Sequence, residues 1–201
     1  MQKIDDFELA ALLCSRLCHD LIGPVGAIGN GLEVLEDERD AAMREQAMEL
    51  VGQSAEQAAR KLRFYRLAFG AATGGGSDLA EARRAAEEMF AEGKVKLTWP
   101  PGAQSMERPQ LKLLLNLILA GAEALPRGGE VKVDGVAMAV EAQGPGARLS
   151  DAAEAALRGG GEAVQAKVAP VLLAGRLAVR LGRALEAERA TDRVRLSAAR
   201  S

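Results

Sequence analysis

The feature that most constrains the fold is an apolar repeat at helical spacing through the first 70 residues. The acidic run at residues 36–40 interrupts this repeat, and a second helical segment follows at about residues 41–69. Two long helices joined by a short loop form an antiparallel hairpin, which on its own exposes half of its apolar stripe. We therefore predict that the hairpin packs on a second copy of itself as a dimeric four-helix bundle. The predicted stripe on the first helix contains Leu9, Leu13, Leu17, Leu21, Ile28, Leu32 and Leu35.

A glycine-rich stretch at residues 73–77 separates this hairpin from the rest of the chain. Its composition is typical of a linker, so we predict two domains, residues 1–72 and residues 77–201. The second domain has helices and antiparallel strands segregated in a way that predicts an α+β two-layer sandwich. Its predicted elements are helices at 78–91, 109–125, 151–157 and 170–187, a strand at 94–99, a hairpin at 130–143 turning at Asp134-Gly135, and a last strand at 193–196.

Composition limits the classes of partner. The formal net charge is −2, which argues against a general nucleic-acid binder. No apolar run approaches the length that crosses a bilayer, and the N-terminus has acidic residues where a secretory signal would be basic. We therefore expect a cytoplasmic protein with neither a nucleic-acid nor a membrane partner.

Cys14 and Cys18 lie one helical turn apart, beside His19. A metal site is conceivable there, but no further ligands cluster nearby in the sequence, so we predict none. A disulfide within a regular helix is unfavourable, and a cytosolic setting disfavours it further. We expect both cysteines to be buried as small apolar side chains.

His19 is the only histidine in the chain. It lies two residues from Leu17 and two from Leu21, which places it on the face opposite the leucine stripe. We therefore predict that its imidazole is exposed.

The face that carries His19 also contains glycines, which lower the stability of a helix. Gly23 and Gly26 lie one and two turns onward, followed by Asn30, and Arg16 lies one turn back. A glycine weakens a helix interior by about 1 kcal/mol relative to alanine, so some other benefit is expected. Glycines beside an exposed nucleophile leave room for another protein's backbone, and we predict that these four residues form a partner-docking surface. The alternative is that the glycines serve helix–helix packing and His19 has no function.

Residues 19–24, His-Asp-Leu-Ile-Gly-Pro, resemble the histidine box of sensor histidine kinases, in which a proline follows five positions after the histidine. The longer stretch 17–33 is similar to that of ChpT-type histidine phosphotransferases. That family has a helical hairpin followed by a degenerate histidine-kinase ATPase-like domain, which matches the organisation of the whole chain. The resemblance implies a phosphorelay protein that passes a phosphoryl group between receiver-domain aspartates through a phosphohistidine at His19.

The resemblance also implies roles and partners. Asp20 is expected to orient or deprotonate the imidazole, so His19 and Asp20 are the predicted catalytic residues. A neutral imidazole is a competent nucleophile, and phosphoryl transfer needs positioning and charge neutralisation more than covalent help. We expect Mg²⁺ to come from the partner receiver. The implied partners are the receiver domain of a hybrid histidine kinase and response regulators of the CtrA type.

The second half is similar in outline to the ATP-binding domain of histidine kinases, but it differs where ATP would be held. Asn116 matches the first asparagine of the asparagine box, whereas Ala120 stands at the metal-binding position. In the stretch 140–146, which resembles the first glycine box, Ala142 replaces the aspartate that reads adenine. Residues 174–178 keep only one glycine of a second phosphate loop. Because alanine can neither coordinate a metal nor accept a hydrogen bond through its side chain, we predict no use of ATP.

Two other functions stay open at this point. One is an active autokinase, against which Ala120 and Ala142 argue. The other is a dimeric scaffold or regulator that binds receiver domains without phosphotransfer, in which His19 is incidental. Phosphotransfer from a receiver to the wild type and to His19→Ala separates the relay from the scaffold.

Overall fold

The chain folds into a long antiparallel helical hairpin followed by helices packed on a five-stranded sheet. The computed structural model describes residues 4–71, 78–102, 105–157 and 165–200. The helices are α1 (Asp6–Asp37), α2 (Ala41–Phe69), α3 (Leu79–Met89), α4 (Arg108–Glu123), α5 (Asp151–Leu157) and α6 (Ala169–Arg180). The strands are β1 (Val95–Thr98), β2 (Gly129–Asp134), β3 (Ala139–Gln143), β4 (Arg183–Ala190) and β5 (Arg193–Arg200).

Local capping fixes where the two hairpin helices begin. The side chain of Asp5 accepts from the backbone N–H of Glu8 at 2.8 Å, and Glu8 accepts from the N–H of Asp5 at 2.9 Å, which makes a capping box. Asp40 caps helix α2 by accepting from the N–H groups of Ala42 and Met43, each at 3.0 Å. The predicted hairpin is confirmed, and its turn spans residues 38–40, shorter than the predicted 36–40 because helix α1 continues to Asp37.

The sheet has the strand order β1-β2-β3-β5-β4. Strand β1 runs parallel to β2, and the other neighbours are antiparallel. Helix α4 is almost wholly apolar and lies over the inner face of the sheet, where its leucines meet Val131, Val140, Val194 and Leu196 in one core. The predicted α+β class is confirmed, with the helices in one layer and the sheet in the other.

Strand β4 was not predicted from the sequence. The last helix was predicted to reach residue 187, but helix α6 ends at Arg180, and Gly182 adopts a left-handed φ of 65° that turns the chain. Residues 183–190 then pair with β5 at the edge of the sheet. The predicted β2–β3 hairpin is present, but its turn contains residues 135–138 rather than two residues, and Asp134 closes it by accepting from the N–H groups of Val136 and Ala137.

The end of the hairpin shares its core with the second domain. Phe64, Tyr65 and Ala68 of helix α2 are buried in the same cluster as the leucines of α4. Nδ2 of Asn116 donates to the carbonyl oxygen of Ala68 at 3.0 Å. Arg176 of helix α6 binds Asp6 at the start of α1. The predicted linker at residues 73–77 lies outside the described residues, so the domain boundary stays a prediction.

Helix α1 is long and apolar enough, by length and composition alone, to cross a bilayer. The expectation that no segment reaches this length is therefore wrong. The same helix packs along α2 through one face and carries the ion-paired Arg16 and Asp20 near its middle. A helix near the N-terminus that packs in this way is weak evidence for a membrane span.

Candidate functional site

His19 lies near the middle of helix α1 with 67% of its side chain exposed, as predicted. Its Nδ1 atom is 2.9 Å from Oδ1 of Asp20, the next residue along the helix. An ionised carboxylate only accepts hydrogen bonds, so a neutral imidazole in this contact carries its proton on Nδ1. The lone pair of Nε2 is then the one available for chemistry.

Asp20 is sheltered beside this exposed histidine, with 14% of its side chain exposed. Its Oδ2 atom accepts hydrogen bonds from Nε of Arg16, at 2.9 Å, and from the hydroxyl of Tyr65. Burial by itself would raise the pKa of Asp20. The hydrogen bonds from Tyr65 and His19, together with the charge of Arg16, outweigh burial and hold that pKa below its ordinary value. The carboxylate is therefore ionised near neutral pH.

The proline of the histidine box leaves a backbone carbonyl without its helical donor. Pro24 has no N–H, so it cannot donate to the carbonyl oxygen of Asp20 four residues earlier. Nζ of Lys61 in helix α2 donates to that oxygen instead, at 2.8 Å. Helix α1 stays continuous through Pro24, and the proline gives α2 an additional contact with Asp20.

Tyr65 was not identified as a site residue by the sequence analysis, although it is the only tyrosine in the chain. Its side chain is buried, and its ring stacks on Phe69. Burial raises the pKa of Tyr65 above its ordinary value; the charge of Arg16 opposes this shift, and that of Asp20 adds to it. The hydroxyl thus keeps its proton and donates. The available signal was a tyrosine at an inward-facing position, because a buried tyrosine hydroxyl needs a hydrogen-bond partner.

Arg16 does not lie on the docking face where the sequence analysis placed it. It is buried, and its guanidinium lies between two carboxylates: Asp20, and Glu123 of helix α4, whose Oε1 is 2.5 Å from Nη1 in an ion pair. Burial would lower the pKa of Arg16, but Glu123 first, and then Tyr65 and Asp20, raise it above its ordinary value. Arg16 is therefore not available on the exposed face that the sequence indicated, because its charge is used inside the chain.

Gly23, Gly26 and Asn30 are exposed on helix α1, as the sequence indicated. A Cβ atom built on Gly23 or Gly26 would meet no heavy atom within 4 Å among the described residues. Gly31 is different, because a Cβ atom there would lie 2.5 Å from Cγ2 of Val51 on α2. Packing within the chain therefore requires Gly31 but does not require Gly23 or Gly26.

A second stripe on helix α1 is apolar and exposed. It consists of Cys14, Cys18, Ile22, Val25 and Leu32, whose intervals of three, four and seven residues place them on one helical face. The expectation that the two cysteines are buried is wrong for the single chain. The leucine stripe predicted from the sequence lies mostly buried or half-buried instead, with Leu32 as its exposed member.

The residues that align with the nucleotide-binding motifs of histidine kinases lie in the core of the second domain or inside a helix. Asn116 is fully buried and donates to the carbonyl oxygens of Ala68 and Lys112. Ala120 and Ala142 are both buried in the core between helix α4 and the sheet. Residues 174–178 lie inside helix α6 and do not form a loop. Within the described ranges, no group of three or more His, Cys, Asp or Glu side chains is placed to hold a metal ion.

Comparison with known proteins points to one family. The chain matches the model of the histidine phosphotransferase C-terminal domain over residues 79–193, more than half of its 201 residues. It is 46% identical over 128 residues to protein phosphotransferase ChpT of Brucella abortus (strain 2308), a match that spans 63% of this chain and only 60% of that protein. A solved structure of a bacterial phosphotransferase matches it with a TM-score of 0.83 and 34% identity, covering 98% of each chain. These matches confirm the resemblance seen in the sequence: the chain belongs to the histidine phosphotransferase family.

Proposed function

We propose that this protein is a phosphorelay intermediate. It accepts a phosphoryl group from a receiver-domain aspartate on Nε2 of His19 and passes it to the aspartate of another receiver. The observation that carries the proposal is the exposed His19 imidazole, whose Nδ1 contacts the sheltered and ionised carboxylate of Asp20. Family membership supports the same activity.

In the transfer, the lone pair of Nε2 attacks the phosphorus atom of the aspartyl phosphate. The N–P bond forms as the bond from phosphorus to the carboxyl oxygen breaks, and the aspartate leaves as a carboxylate. The ring gains positive charge while Nδ1 keeps its proton, and Oδ1 of Asp20, 2.9 Å away, stabilises that charge. Transfer to a second receiver restores the neutral imidazole. We expect Mg²⁺ held by the receiver to neutralise the phosphoryl oxygens.

The surface formed by Gly23, Gly26 and Asn30 is the proposed docking site for the receiver. Each glycine costs the helix about 1 kcal/mol relative to alanine, and no described residue occupies the space that a Cβ atom would take. A partner backbone that approaches to van der Waals contact beside His19 accounts for both glycines. In-line attack requires such an approach, because the reacting atoms must come within about 3–3.5 Å.

A homodimer is the proposed assembly. The exposed stripe of Cys14, Cys18, Ile22, Val25 and Leu32 is accompanied by exposed Met48 and Leu62 on helix α2. Soluble monomers rarely leave so many large apolar side chains of one helical hairpin exposed to water. Two hairpins that bury these surfaces against each other would form a four-helix bundle with a two-fold axis.

The proposed donor is the receiver domain of a hybrid histidine kinase, and the proposed acceptors are response regulators of the CtrA type. The reaction takes place in the cytoplasm and involves no nucleic acid, membrane or ATP. The buried positions of Ala120 and Ala142, where a kinase places a metal ligand and an adenine ligand, support a relay over an autokinase.

Transfer from a phosphorylated receiver tests the proposal. Wild-type protein should take up the label, and the label should be lost in acid and retained in alkali, as for a phosphoramidate. His19→Ala should take up none, whereas Ser15→Ala, a change on an exposed neighbour one turn away, should be labelled normally. A receiver that binds the wild type without transfer would instead support the scaffold, and label retained by His19→Ala would refute the assignment of His19.

A further inference from the structure

Three helices meet behind the imidazole of His19 and converge on one guanidinium. Arg16 of α1 contacts Asp20 on the same helix at 2.9 Å and Glu123 at the end of α4 at 2.5 Å. Tyr65 of α2 donates to the same oxygen of Asp20 as Arg16 does. The only member of this group that belongs to the second domain is Glu123.

The geometry leaves one oxygen of Asp20 for the histidine. Oδ2 is occupied by the donors of Arg16 and Tyr65, so Oδ1 is directed at Nδ1 of His19. The strength of that last contact depends on how much negative charge the carboxylate retains. If Asp20 were the only carboxylate paired with the guanidinium, its negative charge would be fully engaged in neutralising Arg16. Because a second carboxylate shares the guanidinium, less of the charge of Asp20 is engaged in that pairing.

We propose that Glu123 is a positioning residue for phosphotransfer, which acts on His19 through Arg16 and Asp20. By sharing the charge of Arg16, it leaves Asp20 a stronger acceptor for the Nδ1 proton and holds Arg16 in place beneath the imidazole. This assigns the second domain a role in the chemistry of the hairpin. As far as it concerns transfer, the inference depends on the proposed function.

The burial of this network distinguishes it from the other ion pairs that join the hairpin to the second domain. The Glu123 side chain is 32% exposed, and that of Arg16 is largely buried. Arg60 and Glu92 form a comparable pair at 2.7 Å, but Glu92 is 64% exposed, and solvent screens such a pair. Glu92 is therefore a matched control, since its loss removes an inter-domain ion pair that includes neither Arg16 nor Asp20.

The test uses the full-length chain and two readouts. Because His19 is the only histidine, ¹⁵N labelling of histidine reports its ring alone. In alkaline buffer the ¹⁵N shifts should show mainly the Nδ1–H tautomer in the wild type and in Glu92→Gln, and a mixture of tautomers in Glu123→Gln. At saturating phosphorylated receiver, Glu123→Gln should transfer about tenfold more slowly. The receiver concentration at half-maximal rate should be unchanged, because Glu123 acts through Arg16 and not on the receiver.

Several outcomes would overturn the inference. Tautomer populations equal to those of the wild type in Glu123→Gln would do so without any phosphoryl transfer being measured. So would a rise in the half-saturating receiver concentration at unchanged maximal rate, which would indicate docking. Glu123→Asp, which keeps the charge on a shorter side chain, should give intermediate values in both readouts, and it replaces the glutamine variant if that one does not fold. If the wild type itself transfers nothing, the proposed function fails while the tautomer result still decides the role of Glu123.

Discussion

Tyr65 of helix α2 donates a hydrogen bond to Oδ2 of Asp20 on helix α1. The contact joins the two helices of the hairpin directly behind the exposed imidazole. It also leaves Oδ1 of the carboxylate free to meet His19. Asp20, the acidic residue of the histidine box, is thus held by Tyr65 of helix α2 as well as by Arg16 of its own helix.

The first prediction concerns the ionisation of Tyr65. Because burial raises its pKa in the folded chain, the phenol should keep its proton above pH about 10, where an unfolded tyrosine loses it. The stability that this group contributes is present below the unfolded pKa and is lost as pH rises through the folded pKa. Tyr65 is the only tyrosine, so ultraviolet absorbance should show phenolate appearing together with unfolding. Phenolate that forms near pH 10 in a folded chain would contradict this.

Asp20 should have the opposite pH dependence. Its pKa is held below the ordinary value, so the carboxylate stabilises the fold at neutral pH, and this contribution is lost as pH falls below about 4, through the folded-state pKa. Asp20→Asn should melt at a lower temperature than the wild type at pH 7. The gap between the two melting temperatures should narrow in acid. A gap that stays constant between neutral and acidic pH would show that Asp20 does not titrate in this way.

Alanine substitutions at two glycines of helix α1 should change the stability of the protein in opposite directions. Gly26→Ala should stabilise the helix by up to about 1 kcal/mol, since its Cβ atom would meet no atom of the described residues within 4 Å, and it should slow transfer if a partner approaches there. Gly31→Ala should destabilise the hairpin, because its Cβ atom would clash with the stiff side chain of Val51. Urea unfolding measures the change in stability of both variants, and transfer kinetics measure the effect of Gly26→Ala on phosphotransfer. Unchanged transfer in Gly26→Ala would remove the support for docking at this glycine.

The proposed dimer should depend on Val25. Val25→Glu places a charge in the middle of the exposed apolar stripe and should give a monomer in sedimentation experiments at micromolar concentration. Val136 is the matched control: it is 73% exposed, compared with 56% for Val25, but it lies in the β2–β3 turn. Val136→Glu should leave the dimer intact. A monomeric wild type would refute the proposed dimer, and a dimeric Val25→Glu would place the interface elsewhere.

Because position 23 is glycine, we expect that the protein does not accelerate hydrolysis of a receiver's aspartyl phosphate. In kinases that dephosphorylate their partners, the residue four positions after the histidine resembles a water-positioning group, and Gly23 has no side chain to fill that role. Orientation of this kind is worth orders of magnitude in rate. Release of inorganic phosphate from a phosphorylated receiver should therefore be the same with and without His19→Ala protein. Faster release would mean that another group positions the water.

Much of this molecule depends on short-range chemistry that can be seen in the sequence. Asp5, Asp40 and Asp78 each cap a helix by binding N–H groups two or three residues away, so the helix starts are local events. Strand β4 was missed because its residues gain a strand's hydrogen bonds only from β5, and its mixture of charged residues with alanine and leucine is also compatible with a helix.

The sequence by itself determined the helical hairpin and the exposure of His19, since both follow from the helical spacing of apolar residues, while the resemblance to the histidine box indicated the role of Asp20. Only the tertiary structure decided what surrounds Asp20. Tyr65 and Lys61 reach it from 45 and 41 residues further along the chain, and their contacts depend on how two helices pack. Helical spacing placed Arg16 near the exposed face, but its side chain is buried and reaches Glu123 of α4. Glu123 supplies the opposite charge that offsets the cost of burying the guanidinium.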